Sequence, residues 1–440
     1  MKSTLKNRQL NEEIHRLSRT DNYTNFFHLA GIYLFLALGF GGALGFYHYR
    51  YLQGFSIWWN IPVTLLAIVW MGVAQHRLGG LAHDALHHLM FKNRYLNEWI
   101  SDCFCMFPIF SITYFFRLEH LGHHQSVNDP ETDPDMALLQ ESGYWLEGPV
   151  PKKQLRWEFL KLLNIPALIR YMAIRSKYAS LFYSKHAFRR KDAKASSIYI
   201  YNALTVVHLV GMFLLMTVLV WRSDAFLLKL LPFTFWLLFF GLYLSLPGDV
   251  YRQSHFHPVI SLRVLSLMRM TFITALFWGL GWISYSTSHW VILYFFLLWI
   301  VPMFTVFSFL TILQQGVQHA NADRGWLTNS RIFVLNPVVE FCLFPFGLGY
   351  HQPHHMFPSV PHYRLKKLHQ ILSRVPEYRD HATVVQGYLF SPLRGARKYP
   401  TVVEGLGPEY SPQNGRDIYV DNSVLENDRV DKMVVTERVP

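Results

Sequence analysis

The sequence predicts an all-α, polytopic integral membrane helix bundle, with six spans as the first count and four as the alternative, capped on its cytoplasmic side by a histidine-rich di-metal centre. Three observations predict it. Of 440 residues, 51% are hydrophobic and only 16% charged, a more apolar balance than that of ordinary soluble chains. Apolar stretches long enough to cross about 30 Å of hydrocarbon as helix recur along the chain. Three histidine clusters, HDALHH (His83, His87, His88), HLGHH (His120, His123, His124) and HQPHH (His351, His354, His355), stand at the water-facing ends of apolar segments, and imidazole is a common metal ligand.

Residues 1–26 carry charges of both signs ahead of any apolar run and read as a cytoplasmic segment without a signal peptide. Spans are placed near 27–47, 56–75, 203–222, 226–246, 264–285 and 290–313. Lys2, Lys6, Arg8, Arg16 and Arg19 precede the first span, whereas the turn before the second carries only Arg50 and the turn at 286–289 has no Lys or Arg. The positive-inside rule then sets both termini, 76–200 and 247–263 in the cytoplasm. All three clusters fall on that side, provided the number of crossings is even.

Between 152 and 194, 12 Lys or Arg stand against two acids, Glu158 and Asp192. The stretch QLRWEFLKLLNIPALIRYMAIRS mixes apolar bulk with cations in the manner of a helix lying on a membrane surface. Positive-inside topology accounts for most of this charge; docking of an acidic electron-transfer partner or lipid phosphates is the functional alternative. Nucleic acid is not indicated, since no recognition module accompanies the basic residues. Cys103, Cys105 and Cys342 cannot build a disulfide framework. Residues 386–440 are polar, without apolar period, and read as a mobile tail after a 27–385 domain.

Cluster spacing has a mechanical meaning. Residues at i, i+3 and i+4 share a helix face, so His83 with His87, and His120 with His123 and His124, can converge on one point. Adjacent residues differ by about 100° around the axis, so His123 and His124, like His354 and His355, can address two ions. Eight first-choice ligands exceed the need of one ion, and a dinuclear site follows. No HExxH zinc motif occurs, and the histidines lack the clustered Glu and ExxH of soluble carboxylate-bridged bundles.

On HDALHH, HLGHH and GYHQPHHMFPSVPHYRLKKLH the chain resembles the membrane fatty acid desaturase superfamily, over about 60 to 375. The resemblance implies two Fe ions, O2 as co-substrate, and hydrogen removal from an unactivated carbon–hydrogen bond of a membrane lipid. It implies metal ligands at His83, His87, His120, His123, His124, His351, His354 and His355, with His319 of LQQGVQHA as a ninth. Gln315 falls where similar enzymes bring an amide towards the metal through water. Pro353 replaces a frequent acid but is tolerated near a helix start. His88 ranks lower, and His76, His255 and His257 are not expected as ligands.

Asp84, Asp129, Asp133 and Asp135 are candidates to orient the rings through their second nitrogens, although NDPETDPD also reads as a series of turns. The sequence shows neither a fused haem segment of HPGG type nor a dinucleotide fingerprint, so electrons are expected from a separate ferredoxin or cytochrome. The functional expectation is a fatty acyl desaturase. The alternative on the same scaffold is a hydroxylase of a carotenoid or other long-chain lipid, and the alternative outside the enzymes is a histidine-lined metal transporter, which would place ligands along a path within the spans.

Overall fold

The computed structural model describes residues 8–181, 188–390 and 398–410. A short helix α1 (Arg8–Leu17) precedes α2 (Thr24–Leu52) and α3 (Ile57–Leu86), the first two of six described helices long and apolar enough to cross a bilayer. Phe35 of α2 stacks on Trp70 of α3, whose indole N–H donates to the Phe35 carbonyl at 2.8 Å. A polar group in hydrocarbon has to be satisfied within the protein, and this bond does so. α3 outruns the span expected at 56–75, and the excess carries His83.

The chain then bends sharply. α4 (Arg94–Ile109) and α5 (Thr113–Gln125) meet at 93°. The bend is pinned by Asp102, whose Oδ1 accepts from the Thr113 N–H at 2.7 Å and its hydroxyl at 2.8 Å. His87, just past α3, has its Nε2 2.9 Å from that of His120 on α5. The α4–α5 pair therefore starts and ends close to the same histidines.

α6 (Pro134–Ser142) follows, then α7 (Lys152–Lys161) and α8 (Ile165–Ala179), parted at Asn164, which caps α8 by accepting from the Ala167 N–H at 3.2 Å. Trp157, Leu163 and Ile165 stay largely exposed beside the cations of this stretch, as in helices that rest on a membrane surface. α9 (Ala195–Arg222), α10 (Ala225–Ser245), α11 (Leu262–Thr287) and α12 (Val291–Gln318) complete the six. Asp224 and Ser261 cap α10 and α11. Gly72 lets α3 approach α12: a Cβ there would lie 2.4 Å from Cβ of Val306. α12 contains two π turns, Phe296–Ile300 and Met303–Phe307, and α4 contains a third, Asp102–Met106; such turns frequently mark functional positions.

Beyond α12 lies a cap of α13 (Pro337–Leu343), α14 (His351–Met356) and α15 (His362–Leu372), with a parallel pair of four-residue strands, β1 (Arg331–Val334) and β2 (Thr383–Gln386). Part of the stretch expected as a tail, 398–410, packs against the domain. Val402 and Leu406 are buried in an apolar cluster with Val150 and Val385, and the Leu406 carbonyl accepts from the Val150 N–H at 2.8 Å. Asn321 adds donors to the Gly405 and Gly407 carbonyls, at 3.3 and 3.1 Å. The rest of the expected tail, 391–397 and 411–440, lies outside the described residues.

Candidate metal centre

Helix ends deliver every histidine of the three clusters. The last turn of α3 carries His83 and leads into His87; the last two turns of α5 carry His120, His123 and His124; His319 caps α12; α14 supplies His351, His354 and His355. Pro353 lies in the first turn of α14, where an amide N–H has no intrahelical partner to lose.

The rings converge into two groups. His83, His87, His120 and His354 bring nitrogens within 4.8 Å of one another, and His123, His319, His351 and His355 do the same. His124 turns to the first group, its Nε2 3.0 Å from that of His120 and 3.1 Å from that of His354. Its ring also stacks on His355 at 4.3 Å, joining the groups. In the second group the Nε2 separations are 3.1 Å (His123 to His319), 2.8 Å (His319 to His351) and 3.0 Å (His351 to His355). Neighbouring ligands on one ion with bonds of about 2.1 Å stand about 3 Å apart. His123 and His124 part company between the groups, as do His354 and His355.

The donor set suits metal. Nε2 of His83 is buried without a hydrogen-bond partner, a rare condition for a polar atom with nothing to bind. Burial, reinforced by neighbouring imidazoles, holds His87, His351, His354 and His355 far below the usual histidine pKa. Burial and the adjacent His123 bring His319 down to about 3. These rings are neutral, the form that ligates metal, and nitrogen-only sites suit iron, copper or zinc.

Two rings are oriented from behind. Nδ1 of His123 lies 2.9 Å from Oδ1 of Asp133, and Nδ1 of His319 donates to the Asn329 carbonyl at 2.9 Å. Contacts of this kind fix the tautomer and aim Nε2. Burial pushes the Asp133 carboxyl up, but the His123 imidazole outweighs it and holds the group below its ordinary value. Asp133 also caps α6, accepting from the Asp135 N–H at 2.9 Å, so it serves as turn residue and ring partner together. Asp135 stands 4.0 Å from His123.

The other expected supporting residues face elsewhere. Asp84 takes His362, at 2.7 Å from its Nδ1 and with the backbone N–H at 3.1 Å, and so ties α3 to α15 instead of aiming a ligand. Asp129 pairs with Arg324 at 2.6 Å. Gln315 accepts from Tyr171 and Arg175, both at 3.0 Å. His88 turns from both groups to Glu98, 3.2 Å away. His76 lies 3.1 Å from the Leu343 carbonyl, also outside the groups. Asn329 acts through a backbone carbonyl, for which the sequence carries no signal; His362 sits within FPSVPHYRL, where its presence could have been noticed.

A largely apolar cavity of about 380 Å³ borders both groups, meeting His83 and His120 of one and His123 and His351 of the other. It continues between the helices past Phe213, Phe277 and Ile300, and Arg175 and Gln315 add polar groups to its wall.

The chain is similar over 97 residues to the dihydrorhizobitoxine desaturase of Bradyrhizobium elkanii, at 34% identity covering 22% of this chain and 26% of that one. It is 26% identical over 125 residues to the Delta(8)-fatty-acid desaturase of Euglena gracilis, 27% of this chain and 30% of that one. A third relative, the Delta(5) fatty acid desaturase fat-4 of Caenorhabditis elegans, is 35% identical over 75 residues, 17% of each chain. The aligned regions thus span less than a third of each relative. The family model for fatty acid desaturases matches much more, residues 56–259 and 221–386, which takes in all three histidine clusters and five of the six membrane helices: the chain belongs to the fatty acid desaturase family.

Proposed function

We propose that this protein is a di-iron, O2-dependent desaturase that introduces a double bond into a fatty acyl chain. The observation that carries the reading is the cavity: one apolar space touches ligand candidates of both histidine groups, so a hydrocarbon segment lying in it would present carbon–hydrogen bonds to both. His83, His87, His120, His124 and His354 would hold one ion, and His123, His319, His351 and His355 the other. Iron bound there would supply the activation of O2.

The protein's own part is positional. Asp133 and the Asn329 carbonyl aim two rings, and the apolar wall keeps water from the reacting chain, which suppresses side reactions. Overall, two hydrogens leave adjacent carbons, and O2 with two further electrons and two protons becomes two waters. The electrons come from a separate carrier protein such as a ferredoxin or cytochrome, and the basic helices α7 and α8 offer it a surface of suitable charge. With six crossings, the site and both termini face the cytoplasm. Ligand candidates gathered in two closed groups, instead of strung along a path, favour an enzyme over a metal transporter.

The test is to express the protein and its His354→Ala variant in a host of defined lipid composition, and to compare lipids by mass spectrometry and iron by elemental analysis. Loss of two hydrogens from a lipid in the wild type alone, with about two irons per chain, is expected. Gain of one oxygen would make the protein a hydroxylase. Identical lipids in both, or full activity with zinc, would overturn the proposal.

A further inference from the structure

The cavity that borders the histidine groups does not stop beneath the cap. Its wall includes Val206 and Val210 of α9 and Phe296 of α12, and these side chains are 46%, 48% and 43% exposed. Val206 and Val210 stand well inside α9, at a rise of roughly 17 and 23 Å from Ala195 at 1.5 Å per residue. The surface on which they are exposed is therefore one that hydrocarbon, not water, covers. α9 packs on α10 and α11; towards α12 its Phe213 ring meets Phe296 at 5.8 Å. The α12 side of this seam is built from the two π turns, which contribute Phe296, Ile300, Met303 and Phe307 to the cavity. Irregular turns, a rim of lipid-exposed side chains and a buried apolar interior thus coincide along one seam.

We propose that the seam between α9 and α12 is a lateral portal through which a long apolar chain already resident in the bilayer reaches the histidine groups. The occupant is a membrane lipid, because a rim exposed to hydrocarbon receives a chain that never leaves it, whereas a chain carried through water on a soluble thioester would have to cross the headgroup layer first. The proposal deepens the desaturase reading by naming the substrate's location, and rests on that reading only for what happens at the cavity's inner end.

The test uses full-length protein in phosphatidylcholine vesicles containing a phosphatidylcholine with a diazirine in its acyl chain. After irradiation, adducts are mapped by mass spectrometry. Interior residues are the readout, since the outer surface touches lipid in any case. Adducts are expected at Met303, Phe307 and Phe116, which face the cavity. They should fall at least about fivefold in Val206→Trp/Val210→Trp and be unchanged in Val207→Trp, a 56%-exposed neighbour that is not part of the wall. Interior adducts from a diazirine acyl-coenzyme A added in water, with none from the phosphatidylcholine probe, would overturn the portal, as would equal labelling in the double variant. If the tryptophan pair aggregates or loses iron, Val206→Phe/Val210→Phe is read by the same ratio. Product at wild-type level in the blocked variant would refute the portal and leave desaturation standing; blocked labelling in a protein that alters no lipid would do the reverse.

Discussion

Breaking the ion pair of Glu98 and Arg117 should loosen the end of α3 that carries the first histidine cluster. Both side chains are 0% exposed. Arg117 donates Nη1 to Glu98 Oε2 at 3.0 Å, Nε to the Leu86 carbonyl at 2.8 Å and Nη2 to the Ala85 carbonyl at 2.7 Å. The two carbonyls are among those that the last turn of α3 leaves without intrahelical partners, and His87 follows at once. Glu98→Leu strands a buried guanidinium, which costs about 3–5 kcal/mol. Arg117→Met strands the carboxylate and the Leu86 carbonyl, while the Ala85 carbonyl keeps Asn97 Nδ2 and the His88 N–H, both at 3.1 Å, and the cost is of the same order. Replacing both partners by apolar groups of similar volume, Glu98→Leu with Arg117→Met, removes the uncompensated charge, so the double variant should be more stable than the sum of the singles by about 2 kcal/mol or more. It should nonetheless hold less iron, because the Leu86 carbonyl ahead of His87 remains uncapped. Urea unfolding of detergent-solubilised protein followed by tryptophan fluorescence, with iron per chain measured in parallel, checks both halves. Additive singles would refute the coupling, and a double variant with full iron would refute the positional role.

Asp133→Asn removes the charged partner of His123 and should weaken metal retention at one position by about 10–100-fold; iron release to a chelator is expected to be biphasic in the wild type, with the slow phase lost in the variant, and a single unaltered phase would count against it. Gly72→Ala drives a methyl group against Val306 on the facing helix and should destabilise by about 1–3 kcal/mol. An unchanged thermal midpoint would mean that α3 and α12 separate without cost.

The crossings were legible because hydropathy over about 20 residues is a strong signal, and the two-fold use of each HH pair followed from helical geometry. Helix ends were less so: α3 extends past residue 75 as a buried, water-poor segment whose Gln75, His76 and His83 interrupt the apolar run without ending the helix. The α4–α5 pair was invisible, since its bend depends on Asp102 receiving Thr113, a tertiary bond between residues eleven positions apart in an unremarkable sequence. Proximity in sequence misled at Asp84. It adjoins His83, but adjacent residues point about 100° apart on a helix, and the carboxylate accordingly meets His362 on another element. His319 could be placed by family pattern alone; that its Nδ1 is met by a main-chain oxygen depends on how the loop before β1 folds back.

The two histidine groups are electrostatically unequal, and the inequality comes from residues behind the rings. Imidazole ligands bring no negative charge to a place proposed for two cations, so compensation has to come from the next layer of side chains. At the second group it does: Asp133 holds His123 at 2.9 Å, Asp135 stands 4.0 Å from the same ring, and His319 donates to a carbonyl. Each contact raises the basicity of the ring it touches. At the first group, Nδ1 of His87 has no partner, the nearest acid in sequence is spent on His362, and Glu98 is occupied by Arg117 and His88. An ion in the second group would accordingly meet more electron-rich ligands beside a fixed anion, which would favour tighter retention, while the first group, where Nδ1 of His87 lacks a partner, is the position from which iron should leave first.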